Sequence, residues 1–186
     1  MPVLLTIIAV IVLVGLFAVY AFNKLRRLDI GAQEALGGID VQLTRRADLI
    51  PNLVNTVKGY AEHEKGVFEE VTRARTAVKA AAGDGTVAEK SAASAQLDKA
   101  IVDVLAVAEA YPDLKASTNF LELQKELSDT ENKISFARQY YNDAVASLNN
   151  AARTIPWLLF TGIAGVQARE FYDAPDGHQT APTVTF

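Results

Sequence analysis

Residues 3–22, VLLTIIAVIVLVGLFAVYAF, form an unbroken apolar run in which only Thr6 and Tyr20 carry polar side-chain atoms. As a helix rising about 1.5 Å per residue, the run spans roughly 30 Å, the hydrocarbon thickness of a bilayer. A helix apolar on every side has no face to offer water. Gly15 does not weaken the assignment, since glycine is common in membrane helices, and Tyr20 and Phe22 stand where an interfacial aromatic belt would lie. Three cations follow at once, Lys24, Arg26 and Arg27, whereas only Met1 and Pro2 precede the run. The positive-inside rule then predicts a single-pass protein of the cell membrane, with the N-terminus outside and residues 24–186 in the cytoplasm. The rival is a cleaved leader, for which Val19-Tyr20-Ala21 resembles a cleavage site. The missing basic n-region, the length of the run and the cations on its far side argue against it.

The remaining composition excludes more than it identifies. The chain has no cysteine, two histidines and a net charge of -4, and every Lys, Arg, Asp and Glu lies after residue 23. Thiol catalysis, thiolate metal sites and a lipidated cysteine are excluded. A nucleic-acid partner, which would call for a basic surplus, is not expected.

From Leu25 onward the apolar positions recur three or four apart: Leu25, Leu28, Ala32, Leu36, Ile39, Leu43, Ala47 and Ile50. Beyond Pro51 the series resumes in phase as Leu53, Val57, Tyr60, Glu64, Val67, Val71, Ala74 and Val78, with Glu64 its one charged member. The mean spacing of about 3.5 is that of a helix with a coiled-coil-like seam. It predicts one long helix from Lys24 to about residue 82, kinked at Pro51, continuing from the apolar run; the alternative is a break at Ile50 with Pro51 opening a second helix. Gly83-Asp84-Gly85 is a turn signal, and Thr86 with Glu89 forms a capping-box pattern. A helix over residues 87–110 should come next, with Leu97, Ile101, Leu105 and Ala108 inward and a weakly apolar first half that packs least tightly. After the breaker Tyr111-Pro112, a strict heptad begins. Phe120, Leu127, Ile134, Tyr141, Leu148 and Ile155 fall seven apart, with Leu123, Thr130, Ala137, Ala144 and Ala151 in the second seam position. This predicts a helix of roughly 35 residues, about 50 Å long. Ile155-Pro156 ends it. The expected fold is therefore all-α: an N-terminal transmembrane helix (residues 1–23) continuing into a bundle of long antiparallel, coiled-coil-like helices (24–172), then an extended tail (173–186).

Several blocks together resemble the bacterial LemA family. Gln42-Leu43-Thr44-Arg45-Arg46-Ala47-Asp48-Leu49-Ile50-Pro51-Asn52-Leu53-Val54, followed by Val57-Lys58-Gly59-Tyr60-Ala61-Glu62-His63-Glu64, is similar to its signature. Ala108-Glu109-Ala110-Tyr111-Pro112-Asp113-Leu114-Lys115, then Asn119-Phe120-Leu121-Glu122-Leu123-Gln124, Thr130-Glu131-Asn132-Lys133-Ile134, Ala137-Arg138 and Tyr141-Asn142, extend the likeness in the family's order. Ala181-Pro182-Thr183-Val184-Thr185-Phe186 resembles its C-terminal motif. One place departs. Where the family has Phe before the proline at position 156 and Asn shortly after it, this chain has Ile155 and Trp157-Leu158-Leu159-Phe160. The resemblance implies a membrane helix, a soluble helical bundle, no established catalytic activity and no cofactor. It also implies membrane-associated roles and a genomic neighbour, a HtpX-like membrane metalloprotease, as a candidate partner class.

Read residue by residue, the chemistry points the same way. His63-Glu64 begins like a zinc-protease motif, but position 67 is Val67 where the second histidine would have to be, so neither metal ligands nor catalytic residues are assigned. Glu122, Glu126, Asp129 and Glu131, interleaved with Lys125 and Lys133, read as a solvated face. Arg45, Arg46, Asp48 and Asn52 cluster beside Pro51. They can bind a partner or an anionic headgroup, or they can serve the structure by satisfying carbonyls freed by the proline and pairing with acids of an opposing helix. Residues 157–168, WLLFTGIAGVQA, contain no charge and are too short to span. They are either a buried helix capping the bundle or a docking surface, through Trp157, Leu158, Phe160 and Ile163, that dips into the membrane or meets another subunit. In the tail, Val184 and Phe186 could add to a neighbour. These features lead to the expectation of a non-enzymatic, membrane-anchored scaffold that forms homo-oligomers on a lipid bilayer, or of an adaptor for another membrane protein.

Overall fold

The computed structural model describes residues 1–61 and 63–172; the tail positions Val184 and Phe186 lie outside the described residues. Among the described residues six α-helices run in order: α1 Pro2–Lys58, α2 Lys65–Ala81, α3 Val87–Glu109, α4 Pro112–Lys115, α5 Thr118–Arg153 and α6 Thr161–Ala164. A 3-10 turn, Trp157–Phe160, precedes α6. Among the described residues there is no strand.

The described residues form two compact units, one from residues 1–36 with 139–171, the other from 37–138 with Tyr172. In the first, residues 3–20 of α1 are left almost wholly uncovered, and burial begins at Ala21 and Leu25. This is the one helix, among the described residues, long and apolar enough to cross a membrane. Thr6 satisfies its hydroxyl within the helix, Oγ1 donating to Pro2 O at 2.9 Å. Tyr141 and Leu148 of α5 are buried and continue the heptad, while in the second row Val145 is buried in place of the expected Ala144, which is half-buried. The segment after α6 is held by side chains. Asn149 donates from Nδ2 to Arg169 O and accepts from Arg169 N–H at Oδ1, both at 2.9 Å. Tyr141 Oη donates to Glu170 O at 2.8 Å. Arg169 in turn grips Asp29 of α1 from Nε and Nη2, each at 2.8 Å.

In the second unit the inward series on α1 is Ile39, Leu43, Ala47, Ile50, Leu53 and Val57, and it passes through Pro51 without a break. The expected continuation to residue 82 does not form. The helix ends at Lys58, Gly59 and Tyr60 turn, and α2 starts at Lys65. Tyr60 is exposed and Ala61 is buried in its place. The apolar phase survives the gap because α2 lays its own inward row, Phe68, Val71, Ala74 and Val78, back against the core. An uninterrupted helix would have carried that row away from its partners. Two contacts fix the reversed direction: Lys79 pairs with Asp48, and the Gly83 N–H faces Asp40 further back on α1. Gly83 takes a positive φ of 92°, and a Cβ at Gly85 would run into the Ala81 carbonyl, so both glycines are required by this turn. The capping box is made in full. Glu89 N–H donates to Thr86 Oγ1, and Thr86 N–H donates to Glu89 Oε2 at 2.7 Å, which holds the exposed Glu89 carboxyl below its ordinary pKa. Contrary to expectation, the alanine-rich first half of α3 is well packed, with Lys90, Ala93 and Ser94 all buried. On α5, Phe120, Leu127, Thr130 and Ile134 are buried.

Candidate functional site

Two constellations use the residues singled out from the sequence. The first lies at the end of the apolar run. Trp157 stacks on Phe17 with centroids 5.9 Å apart and an interplanar angle of 24°, and lies 5.7 Å from Tyr20. Phe160 meets Phe17 edge-on at 5.7 Å. The Lys24 ammonium sits 4.1 Å above the Trp157 ring. Such aromatic and cation–π contacts contribute about 0.5–1.5 kcal/mol each. A girdle of rings topped by a long cationic side chain suits a boundary between hydrocarbon and water, since the ring buries its body while the ammonium stays wet. Arg26 lies 3.6 Å from Asp29, and Arg27 is exposed.

Residues 157–168 are therefore not a buried helix. They form a 3-10 turn and one turn of α-helix, which stops at Gly165 in the left-handed conformation (φ 63°). Trp157 and Phe160 turn toward α1, while Leu158, Leu159 and Ile163 remain exposed. A segment this short, interrupted by Gly162 and Gly165, cannot bury all of its apolar side chains against one neighbour.

The second constellation surrounds Pro51 and is divided by the structure. Arg46 is buried. Its Nη1 contacts Asp98 of α3 and Glu131 of α5, the latter at 2.7 Å. Asp98 was not evident from the sequence as a site residue, and Glu131, assigned to a solvated face, is drawn into this pairing. Burial, with Glu131 as a neighbouring like charge, pushes the Asp98 carboxyl above its ordinary range despite Arg46 and Arg138. Arg138 donates to Ser94 Oγ at 2.7 Å and lies over the Tyr172 ring at 5.2 Å. Burial also raises the Tyr172 phenol.

Asp48 makes an exposed pair with Lys79 at 2.7 Å, while Arg45 and Asn52 stay on the surface. The carbonyl left without a helical donor by Pro51 is that of Ala47, and Arg75 of α2 reaches it. No nearby sequence signal marked Arg75 for this task. Asn52 borders a shallow polar groove of about 370 Å³ with Asn55, Thr56, Asn119, Glu122 and Glu126. His63 is exposed in the turn before α2, and among the described residues no three His, Cys, Asp or Glu side chains could together hold a metal ion.

Magnetosome protein MamQ 2 of Paramagnetospirillum magneticum is 23% identical over 206 residues, covering 97% of this chain and 75% of its own. Magnetosome protein MamQ of Magnetospirillum gryphiswaldense is 24% identical over 170 residues, covering 78% and 62%. Residues 35–186, from within α1 to the last residue, match the model of the LemA family, and the chain belongs to that family.

Proposed function

We propose that this chain is a non-enzymatic, membrane-anchored helical scaffold that self-associates and organises the bilayer around it. The observation that carries the reading is α1 itself. A 57-residue helix joins an uncovered apolar run to inward-packed positions without a linker. An anchor continuous with a helix that also supplies buried positions joins the packed residues directly, not through a flexible tether. The likeness to magnetosome proteins supports a membrane setting. The cations at positions 24, 26 and 27 favour a single pass in the cell membrane with the helices on the cytoplasmic side.

The heptad seam on α5 faces inward, so self-association is assigned to other surfaces. Val102, Leu121 and Phe136 are large apolar side chains left exposed, Phe136 by 72%. Mass measurement of the full chain in lipid nanodiscs tests the reading: an oligomer of defined size is expected, and a strictly monomeric species overturns self-association. Protease digestion of intact cells and of spheroplasts tests the orientation, with cleavage of the helical region expected only after the membrane is opened.

A second reading, an adaptor for another membrane protein such as a HtpX-like protease, is favoured by the exposed Arg45 and by the groove beside Asn52. Co-purification of that protease, lost in the Arg45→Ala/Asn52→Ala variant, would support the adaptor over the scaffold.

A further inference from the structure

We propose that residues 155–163 are a second membrane contact, a shallow wedge that enters the same leaflet as the C-terminal end of the apolar run and has lipid acyl chains as its occupant. The inference rests on the anchoring reading above and adds a lipid-binding surface to it.

Trp157 and Phe160 are in ring contact with Phe17, and Trp157 also with Tyr20, both residues of the run proposed to cross the bilayer. A segment packed on those rings shares their depth. Phe17 precedes Phe22, the last residue of the run, by five positions, about 7.5 Å along a helix axis. That lies within the roughly 5–10 Å to which interfacial elements penetrate. Lys24 marks the upper limit, because its ammonium must reach water or headgroup phosphate while it covers Trp157.

The outer surface has the chemistry of a lipid contact. Ile155, Leu159 and Ile163 are 77%, 70% and 75% exposed, and Leu158 is 46% exposed. No ionisable side chain occurs between Arg153 and Arg169. A protein partner would ordinarily be met by some polar or charged rim. Here the apolar surface continues instead onto the uncovered helix beside it.

Backbone polarity is also managed. Leu158 N–H donates to Thr154 O at 2.9 Å, Leu159 N–H to Pro156 O at 3.3 Å and Val166 N–H to Thr161 O at 3.0 Å. The Thr161 hydroxyl donates to Leu158 O at 2.9 Å. Each of these bonds closes within the segment, which lowers the cost of bringing those groups near hydrocarbon.

The wedge would set the rotation and depth of α1, which a single apolar helix leaves undetermined. The test exploits the absence of cysteine. Leu159→Cys and Ile163→Cys, each carrying a nitroxide label in the full chain in phosphatidylcholine/phosphatidylglycerol vesicles, are read by relaxation with dissolved oxygen and with a water-soluble nickel chelate. Leu13→Cys is the hydrocarbon reference and Asp84→Cys, in the exposed turn before α3, the aqueous one. Labels at 159 and 163 should show a several-fold higher oxygen-to-chelate ratio than Asp84→Cys. Values equal to those of Asp84→Cys, with Leu13→Cys in hydrocarbon, overturn the wedge alone. Protection from both reagents means a protein occupant and overturns it too. An aqueous reading at Leu13→Cys defeats the anchor, and the wedge falls with it.

Discussion

Arg75 Nε donates to the carbonyl of Ala47 at 3.0 Å, and Ala47 stands four residues before Pro51. Proline has no N–H to return to that carbonyl, and Ala47 is fully buried, so water cannot take its place. A side chain from α2 thus completes a hydrogen bond that α1 lacks, and lets the helix pass through Pro51 to Lys58.

Arg75→Met should cost about 2 kcal/mol, the penalty of an unsatisfied buried acceptor. Pro51→Ala restores a helical N–H, so in that background most of the cost of Arg75→Met should disappear. Urea unfolding of the four proteins of this cycle, followed by circular dichroism, measures the coupling. Equal costs in both backgrounds would show that Arg75 serves some other purpose.

Lys90, only 1% exposed, places Nζ 2.7 Å and 2.6 Å from the two oxygens of Asp40 and 2.9 Å from Gly83 O. Asp40→Ala leaves a buried ammonium with one carbonyl and should cost about 3 kcal/mol. The double variant Asp40→Leu/Lys90→Met should recover much of that loss, since the desolvation penalty goes with the charge. A thermal midpoint for the double variant as low as for Asp40→Ala would contradict this account.

Asp98 predicts a pH dependence of definite sign. Its pKa is raised in the folded chain, mainly by burial, so the folded state keeps a proton that the unfolded state has lost. Its contribution to stability therefore falls as pH rises from the unfolded carboxylate value, about 3.9, through the folded one. Asp98→Asn removes that titration. The stability difference between Asp98→Asn and the parent should shift in favour of the variant across this window, as read from denaturation at a series of pH values. A shift in the opposite direction would mean that Arg46 outweighs burial.

Asn149 offers both an acceptor and a donor to the Arg169 backbone. Asn149→Asp keeps the acceptor and loses the donor, and Asn149→Ala loses both. Hydrogen exchange at the Arg169 amide should accelerate strongly in Asn149→Ala and much less in Asn149→Asp. Similar rates in the two variants would remove the side chain from this role.

How much of this was legible depends on how local each signal was. The heptad from Phe120 placed α5 at close to its observed Thr118–Arg153, and Thr86 with Glu89 marked the start of α3 at Val87. Period and capping act within a few residues of one another, so they can be read along the chain. The end of α1 could not, because Tyr60 and Glu64 keep the same spacing whether the helix continues or reverses.

By itself, then, the sequence determined long helices behind an apolar run of bilayer length, since backbone periodicity and side-chain polarity are properties of neighbours. Only the tertiary structure decided that Lys90 and Arg46 are buried, that Arg75 completes the helix at Pro51, and that Trp157 lies on Phe17 beneath Lys24. A charge is tolerated inside, or an apolar ring left at a boundary, according to the partner it meets. Those partners lie on distant segments brought together only by folding.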